Sequence, residues 1–343
     1  MAPETTSVRQ PPRPALDPQF HHATRPIDDR KTSTSASVTP QPRVSVLMTA
    51  YNREAYIAAA IESVLAQTMT DFELIVCDDA SHDGTVEIAS GYARRDARVR
   101  VVVAGQNIGD YPNRNRAAAL ARGAYLKYHD SDDVMYPHCL SVMVGYLDAE
   151  PRAMCALSGS RDWRGGPCPM LLTPRLSYER EFLGSGLFHL GPSAGLFRRR
   201  AFLALGGFPV AGAASDYRFW VGVCTSVNVL LVPGDLFFYR IHAGQQLANG
   251  KNDAEYDRAV AAAWAMLEAS TCPLDHAARE QAKKNFLFTV LRGAYRTLKQ
   301  GRLQSAASQV RHAGPGVGDW IRYLRVPRRL ASAGTPSHEE ARA

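Results

Sequence analysis

Between residues 44 and 130, short apolar runs alternate with stretches in which apolar side chains recur every three or four positions. The run VSVLMT (44–49) has the length of a buried strand, and Ile57, Ile61, Val64 and Leu65 fall on one helical face directly after it. The alternation then repeats. FELIVCD (72–78) reads as strand, GTVEIASGYARR (84–95) as helix, VRVVVA (99–104) as strand, NRAAALARG (115–123) as a helix ending in glycine, and AYLKYHD (124–130) as strand. Strands separated by helices need crossover connections, which predicts an α/β fold with a mainly parallel central sheet covered on both faces.

The pattern weakens farther along. A helix near 137–148 and a strand near 154–159 precede a Gly/Pro-rich stretch, 161–192, with no readable element. SAGLFRRRAFLALGGFP predicts a strand and a helix, SDYRFWVGVCTS a helix, and NVLLVPGDLFFYRIH two strands. From about residue 252 long amphipathic helices follow, a C-terminal helical extension. The expected organisation is a disordered Pro-rich leader (1–42), one α/β domain (43–250, its halves dividing after residue 133), the helical extension (251–312) and a basic, flexible tail (313–343). The leader holds eight of the 21 prolines and little apolar material to bury.

Composition narrows the partners. No run of about 18 apolar residues is present to cross a bilayer, and the N-terminus has no short apolar signal segment, so a cytoplasmic chain is expected. The six cysteines form no CxxC pair and read as reduced thiols, not as a zinc ribbon or a redox motif. A net charge of +7 favours an anionic partner: nucleic acid, a membrane surface or a phosphorylated small molecule. No helix-turn-helix, zinc-finger or RNP-like pattern supports nucleic acid, and no Gly-rich phosphate loop follows the first strand as a nucleotidyltransferase would require. The arginines Arg322, Arg325, Arg328 and Arg329, with Trp320, Tyr323 and Leu324 among them, suit either peripheral contact with the inner membrane face or a solvated tail.

The polar segments TAYN, DDASHDGT and DSDD all sit at carboxyl ends of predicted strands, where parallel sheets bind ligands. The third packs Asp130, Asp132 and Asp133 into four positions. Two unit charges about 4 Å apart at a protein surface repel by roughly 4 kcal/mol, so a counter-charge is expected. Oxygen-only ligands suit a hard divalent cation, Mn²⁺ or Mg²⁺, bridging to a diphosphate; a solvated acidic turn is the alternative.

VSVLMTAYNREAYIAAAIESVLAQTMTDFELIVCDDASHDGT, NIGDYPNRNRAAALARGAYLKYHDSDD, FRRRAFLALGGFP, SDYRFW and YRIH, in this order over residues 43–247, resemble the family 2 glycosyltransferases. The resemblance implies a GT-A type nucleotide-binding fold and inverting transfer of a sugar from a nucleoside-diphosphate sugar, a UDP-sugar above all, to a sugar or lipid-linked hydroxyl. It implies that Asp130 and Asp132 form the DxD pair for metal and donor, with Asp132 the more direct ligand. Thr49, Tyr51 and Asp79 would line the nucleotide, Arg114 would reach the phosphates, His242 would close over the metal, and Asp216 would be the catalytic base. Each has a plain structural alternative: helix capping for Asp79 and Asp216, packing for Tyr51, crevice order for Arg114, and a hydrogen-bonded strand-end histidine for His242. The family's Glu-Asp pair is here Ser215-Asp216. That departure keeps a catalytically silent nucleotide-sugar-binding module as the second reading.

Overall fold

A computed structural model of the chain describes residues 41–158, 168–212, 214–234, 236–242 and 253–324, the side chains of 253–259 and 324 excepted. Expectations for the leader 1–40, for the loop 243–250 after His242, and for Arg325, Arg328 and Arg329 lie outside the described residues.

Three parallel strands start the fold: β1 (Val44–Ala50), β2 (Phe72–Asp78) and β3 (Val99–Val103), joined by helices α1 (Ile57–Leu65) and α2 (Thr85–Ala93). Helix α3 (Asp110–Leu120) then carries the chain back to β4 (Tyr125–Tyr128), which lies parallel to β1 on its other side. All seven residues of β1 and of β2 are buried, as a strand covered on both faces requires. Alternate residues feed two cores: Leu47, Ile75 and Tyr128 on one face, and Val46, Met48, Leu74 and Ile61 on the other.

The remaining strands complete one sheet in the order β3-β2-β1-β4-β8-β6-β9-β7. β6 (Ala153–Leu157) and β9 (Asn228–Leu231) are parallel, while β8 (Gly195–Arg198) and β7 (Met170–Leu172) run antiparallel to their neighbours. The sheet is therefore mostly parallel, with antiparallel strands confined to its second half. A small ribbon pairs β5 (Val134–Met135) with β10 (Phe237–Phe238). Helices α4 (Cys139–Ala149), α5 (Pro174–Phe182), α6 (Arg199–Ala204) and α7 (Ser215–Val223) connect these strands. Rings of Tyr128, Phe197, Phe202, Phe208, Phe219 and Trp220 pack together beneath α6 and α7, with Phe208 and Phe219 centroids 4.9 Å apart.

Two elements depart from the sequence reading. α3 begins at Asp110 and not at residue 115, because Pro112 falls in the first turn, where its missing N–H costs nothing. The stretch 161–192 contains α5, capped by the Thr173 hydroxyl; only Ser177, Tyr178 and Phe182 of α5 are buried, too sparse a pattern to show as a helical face.

Gly123 opens β4, where a Cβ would stand 2.5 Å from the Ser45 nitrogen. The Ser45 hydroxyl and the Arg122 backbone N–H both donate to the buried Glu73 carboxylate, at 2.6 and 2.8 Å. That knot fixes where β4 enters the sheet.

The extension docks on the second half of the domain. α8 (Asp253–Glu268) and α9 (His276–Lys299) pack through Trp264 and Phe286, and Asn285 Nδ2 donates to Phe182 O at 3.0 Å. α10 (Leu303–His312) and α11 (Val317–Leu324) follow. α11 lies within the stretch expected as a flexible tail, yet Tyr323 is buried and its hydroxyl donates to Glu280 at 2.9 Å. Arg322, expected to face a membrane or solvent, pairs with the same carboxylate at 2.7 Å. All six cysteines are free thiols, four of them buried. Among the described residues no helix is long and apolar enough to cross a membrane.

Candidate active site

The strand order decides which loops meet. The chain travels outward from β1 to β3 and returns at β4, so the loops after β2, β1 and β4 stand side by side at the carboxyl ends of the strands. Asn52 stitches the first two: its backbone N–H donates to Ser81 Oγ, and its side-chain oxygen accepts from the His82 N–H, both at 2.9 Å. Tyr51 beside it is 41% exposed, its ring edge-on to His82, an open aromatic face at the crevice. Thr49 is nearly buried, opposite Cys77 in the sheet.

Asp78 and Asp79 have separate tasks. Asp78 accepts from the backbone N–H of Ser81 at 2.8 Å. At the start of α2 it is Asp83, one residue before the Gly84 N-cap, that accepts from Thr85 N at 3.0 Å. Asp79 accepts from the N–H groups of Ile108 and Gly109, one on each oxygen and each at 2.9 Å, and so fixes the turn into α3. Each oxygen keeps a second lone pair for a further donor.

The acidic loop meets its counter-charges in arginines and a histidine. Arg114 Nη2 lies 2.7 Å from Asp130 Oδ1, and its Nε lies 2.9 Å from Asp110 Oδ1 one turn back on α3. Arg53 Nε and His242 Nε2 both lie against Asp132 Oδ2, at 3.1 and 3.0 Å. Asp133 accepts from the Arg240 backbone N–H at 3.0 Å, and its other oxygen is buried with no partner among the described residues. Burial and the neighbouring Asp130 push the Asp133 carboxyl up to about 7. Burial alone would also raise Asp130, but the Arg114 guanidinium and the Ser193 hydroxyl outweigh it and hold that carboxyl below the usual range. The segment after β10 thus crosses the loop as a strap, with the His242 ring 4.4 Å from that of Tyr56 and the Arg240 guanidinium over the same ring.

Arg114 is the link to the other half of the site. It is buried against the rings of Tyr111 and Tyr128, and its Nη1 has no hydrogen-bond partner among the described residues. The Tyr111 side chain in turn acts on Asp216 in the first turn of α7, favouring its ionised form. Burial pushes the Asp216 carboxyl up, against the opposing pull of the Tyr217 N–H, Tyr111 and the Arg114 charge. Gly191 borders this carboxylate; a Cβ there would come within 4.0 Å of Asp216 Oδ2. Ser215 faces the interior. Its hydroxyl donates to Gly212 O at 2.6 Å and accepts from Ala211 N at 3.1 Å, so it staples the turn before α7 and leaves Asp216 as the single acid at that helix start.

The family model for glycosyl transferase family 2 matches residues 45–206. This stretch is a family 2 glycosyltransferase domain. It includes Asp130 and Asp132, whereas Asp216 and His242 lie beyond the matched segment and enter the site through the geometry described above. Among curated proteins, the chain is 39% identical over 108 residues to the putative glycosyltransferase EpsE of Bacillus subtilis, a match spanning 31% of this chain and 39% of that relative's length. Among solved structures, S. aureus TarS 1-349 in complex with UDP-GlcNAc superposes with a TM-score of 0.61 at 22% identity, over 80% of this chain and 82% of that one. The mannosyltransferase PcManGT of Pyrobaculum calidifontis, solved with GDP-Man and Mn2+, superposes at 0.51 and 17% identity, over 84% and 88%. These likenesses agree with a GT-A type fold.

The donor set of this glycosyltransferase domain is compatible with a divalent cation. Among the described residues no three of His, Cys, Asp and Glu converge as a ready-made cage. Mg²⁺ and Mn²⁺ ordinarily rely on one or two carboxylates with the substrate's phosphates, and two ligands about 2.1 Å from one ion at right angles stand about 3 Å apart. The Asp132 to His242 separation of 3.0 Å meets that requirement.

Sequence reasoning missed several members of the site. Arg53 follows the noted Tyr51, but nothing local indicates that its guanidinium reaches Asp132 across the sheet. Asp110 and Tyr111 were hidden by the late start given to α3. Lys127 did carry a signal, a lone lysine in an apolar strand. Its ammonium is fully buried and donates to the Ser193 carbonyl, while Ser193 Oγ accepts from the Asp130 N–H at 3.0 Å. Asn115, the partner of Arg114 in the sequence motif, is structural: it exchanges two hydrogen bonds with the Phe208 backbone, which brings its side-chain oxygen to within 2.6 Å of where a Cβ at Gly207 would stand.

Proposed function

We propose that the chain is an inverting glycosyltransferase that moves a sugar from a nucleoside-diphosphate sugar, of the UDP class, to a hydroxyl of a sugar or lipid-linked acceptor in polysaccharide, glycolipid or glycoconjugate synthesis at the cytoplasmic face of a membrane. The observation that carries it is the set Asp130, Arg114, Tyr111, Asp216, which joins an acidic strand-end loop to a lone carboxylate whose pKa burial has raised. Solved neighbours crystallised with UDP-GlcNAc and with GDP-Man and Mn2+ support the donor class.

In this reading Tyr51 stacks on the base, Thr49 lines the edge, and Asp79 accepts from a base N–H. Asp130, Asp132 and His242 would hold a divalent cation, which when bound offsets the charge of the departing diphosphate. Arg114, through its unpartnered Nη1, supplies a donor towards the phosphates. Asp216 takes the acceptor's hydroxyl proton as the acceptor oxygen bonds to C1 and the C1–O bond to the diphosphate breaks. One displacement at C1 inverts the anomeric centre.

The second reading, a silent nucleotide-sugar-binding module, is favoured by the inward-facing Ser215. A panel of UDP- and GDP-sugars, assayed for thermal stabilisation and for nucleotide release with Mn²⁺ and with EDTA, separates the two. Transfer predicts donor-dependent turnover that Asp216→Asn lowers by about 10² to 10⁴-fold while donor stabilisation persists. Stabilisation by a donor with no turnover in the unmodified chain would leave the module, and turnover undiminished in Asp216→Asn would remove Asp216 as the base.

A further inference from the structure

From Gln281 to Gly318 the chain contains no Asp or Glu, against seven lysines and arginines. Most of this segment is α9 and α10. The inner face of α9 is spent on the domain: Ala282, Phe286, Leu287, Ala294 and Thr297 are buried, and Lys283 is held by Glu268. At 100° per residue, Lys284, Phe288, Arg292, Tyr295 and Lys299 share the opposite face. Phe288 is 43% exposed and Tyr295 57%. The turn that ends α9 adds Leu298 and Leu303, 46% and 66% exposed, beside Arg302. The Lys299 ammonium lies 5.0 Å from the Tyr295 ring, so cation and aromatic form one mixed surface.

We propose that this outward face of α9, with the turn into α10, seats the protein on an anionic phospholipid surface. A surface that rests on an anionic bilayer offers Lys and Arg to the headgroups, with aromatic and aliphatic side chains beside them to enter the acyl boundary. That is the composition here, over a 24-residue helix whose opposite side is anchored in the fold. Charge complementarity selects the occupant. A second copy would meet like charge across a two-fold contact. The surface is also a convex helix face and not a groove that could track a nucleic-acid backbone. The tail arginines considered from the sequence are not needed: Arg322 is already engaged by Glu280. The inference goes beyond the transfer reading and does not depend on it, since it concerns residues outside the crevice.

The test is sedimentation of the full chain with vesicles of phosphatidylcholine alone and of phosphatidylcholine mixed with phosphatidylglycerol, at low and high salt. Binding is expected to the mixed vesicles only and to weaken with salt. Each cation removed lowers partitioning about fivefold, so Arg292→Gln with Lys299→Gln lowers it about 25-fold. Phe288→Ser with Tyr295→Ser lowers it independently. All four positions are exposed, and an unchanged melting temperature confirms that the variants fold. No binding to mixed vesicles, or equal binding by both variants, overturns the proposal. So does tighter association with RNA or DNA of matched charge than with the vesicles. Donor stabilisation measured on the same variants is expected to be unchanged; its loss alone would bear on the crevice, not on this face.

Discussion

The two halves of the site treat their carboxylates in opposite ways. On the strand-end side, Asp130 and Asp132 are each within 3.1 Å of a guanidinium, and Asp130 is held below the usual carboxylate range against the pull of its own burial. On the α7 side, no guanidinium among the described residues is ion-paired with Asp216, and burial raises its pKa. Environments that push titratable groups apart suit different roles, and on the proposed function these are an ionised anchor for charged ligands in one place and a proton acceptor in the other. The contrast also separates what each half costs the fold. The first is a network of partly buried ion pairs that fails if one member is lost, the second a single acid that accepts from the Tyr217 backbone N–H.

The largest expected effect tests the first half. Arg114→Met leaves the partly buried Asp110 and Asp130 without their shared counter-charge, which should cost about 3 kcal/mol, the low end for breaking a buried pair. Chemical denaturation of the isolated variant would read this directly. A loss within about 0.5 kcal/mol, the range of ordinary surface substitutions, would show that water already compensates these acids and that the two halves do not differ as described.

A smaller effect tests the second half. Ser215→Ala removes the hydroxyl that accepts from Ala211 N and donates to Gly212 O, and should cost about 1–2 kcal/mol with little change in KM for the donor. Ser215→Glu restores a second acid at this position, but the side chain there is fully enclosed. The expected outcome is a greater loss of stability and no gain in turnover; a gain would mean that the missing acid, and not the staple, is what matters at this position.

The same division governs how much could be read before the structure. The strand-end side was legible because a strand buried on both faces must be continuously apolar, and because β1, β2 and β4 each end in a polar cluster. Asp132 and His242, from motifs 110 residues apart, meet at 3.0 Å, whereas Asp130 is paired with Arg114. The α7 side was legible only in pieces. β8 and β7 are short and antiparallel, α5 buries three residues, and the aromatic cluster beneath α7 joins rings from five separate segments. Contacts of that kind are set by tertiary packing, which local periodicity does not record. Arg53 and Asp110 share this character, each meeting its acid only after the sheet is assembled or the helix start is known.

The smallest effect is a displacement of the pH profile. A base whose pKa is raised must lose its proton at higher pH than an ordinary aspartate, so the acidic limb of kcat/KM should lie above the usual aspartate range. Tyr111 favours the ionised form and so pulls the other way. Tyr111→Phe is therefore expected to move the limb farther towards alkaline pH while leaving its plateau nearly intact. The stability linkage has a matching sign: the folded protein holds the Asp216 proton more tightly than the unfolded chain, so that contribution is full below the unfolded pKa and lost as pH rises through the folded one. A pH–rate profile of the two proteins on one donor, with unfolding followed over the same range, settles both signs at once. A limb that moves towards acid in Tyr111→Phe, or does not move, would detach Tyr111 from Asp216 and with it the bridge through α3 that joins the two halves.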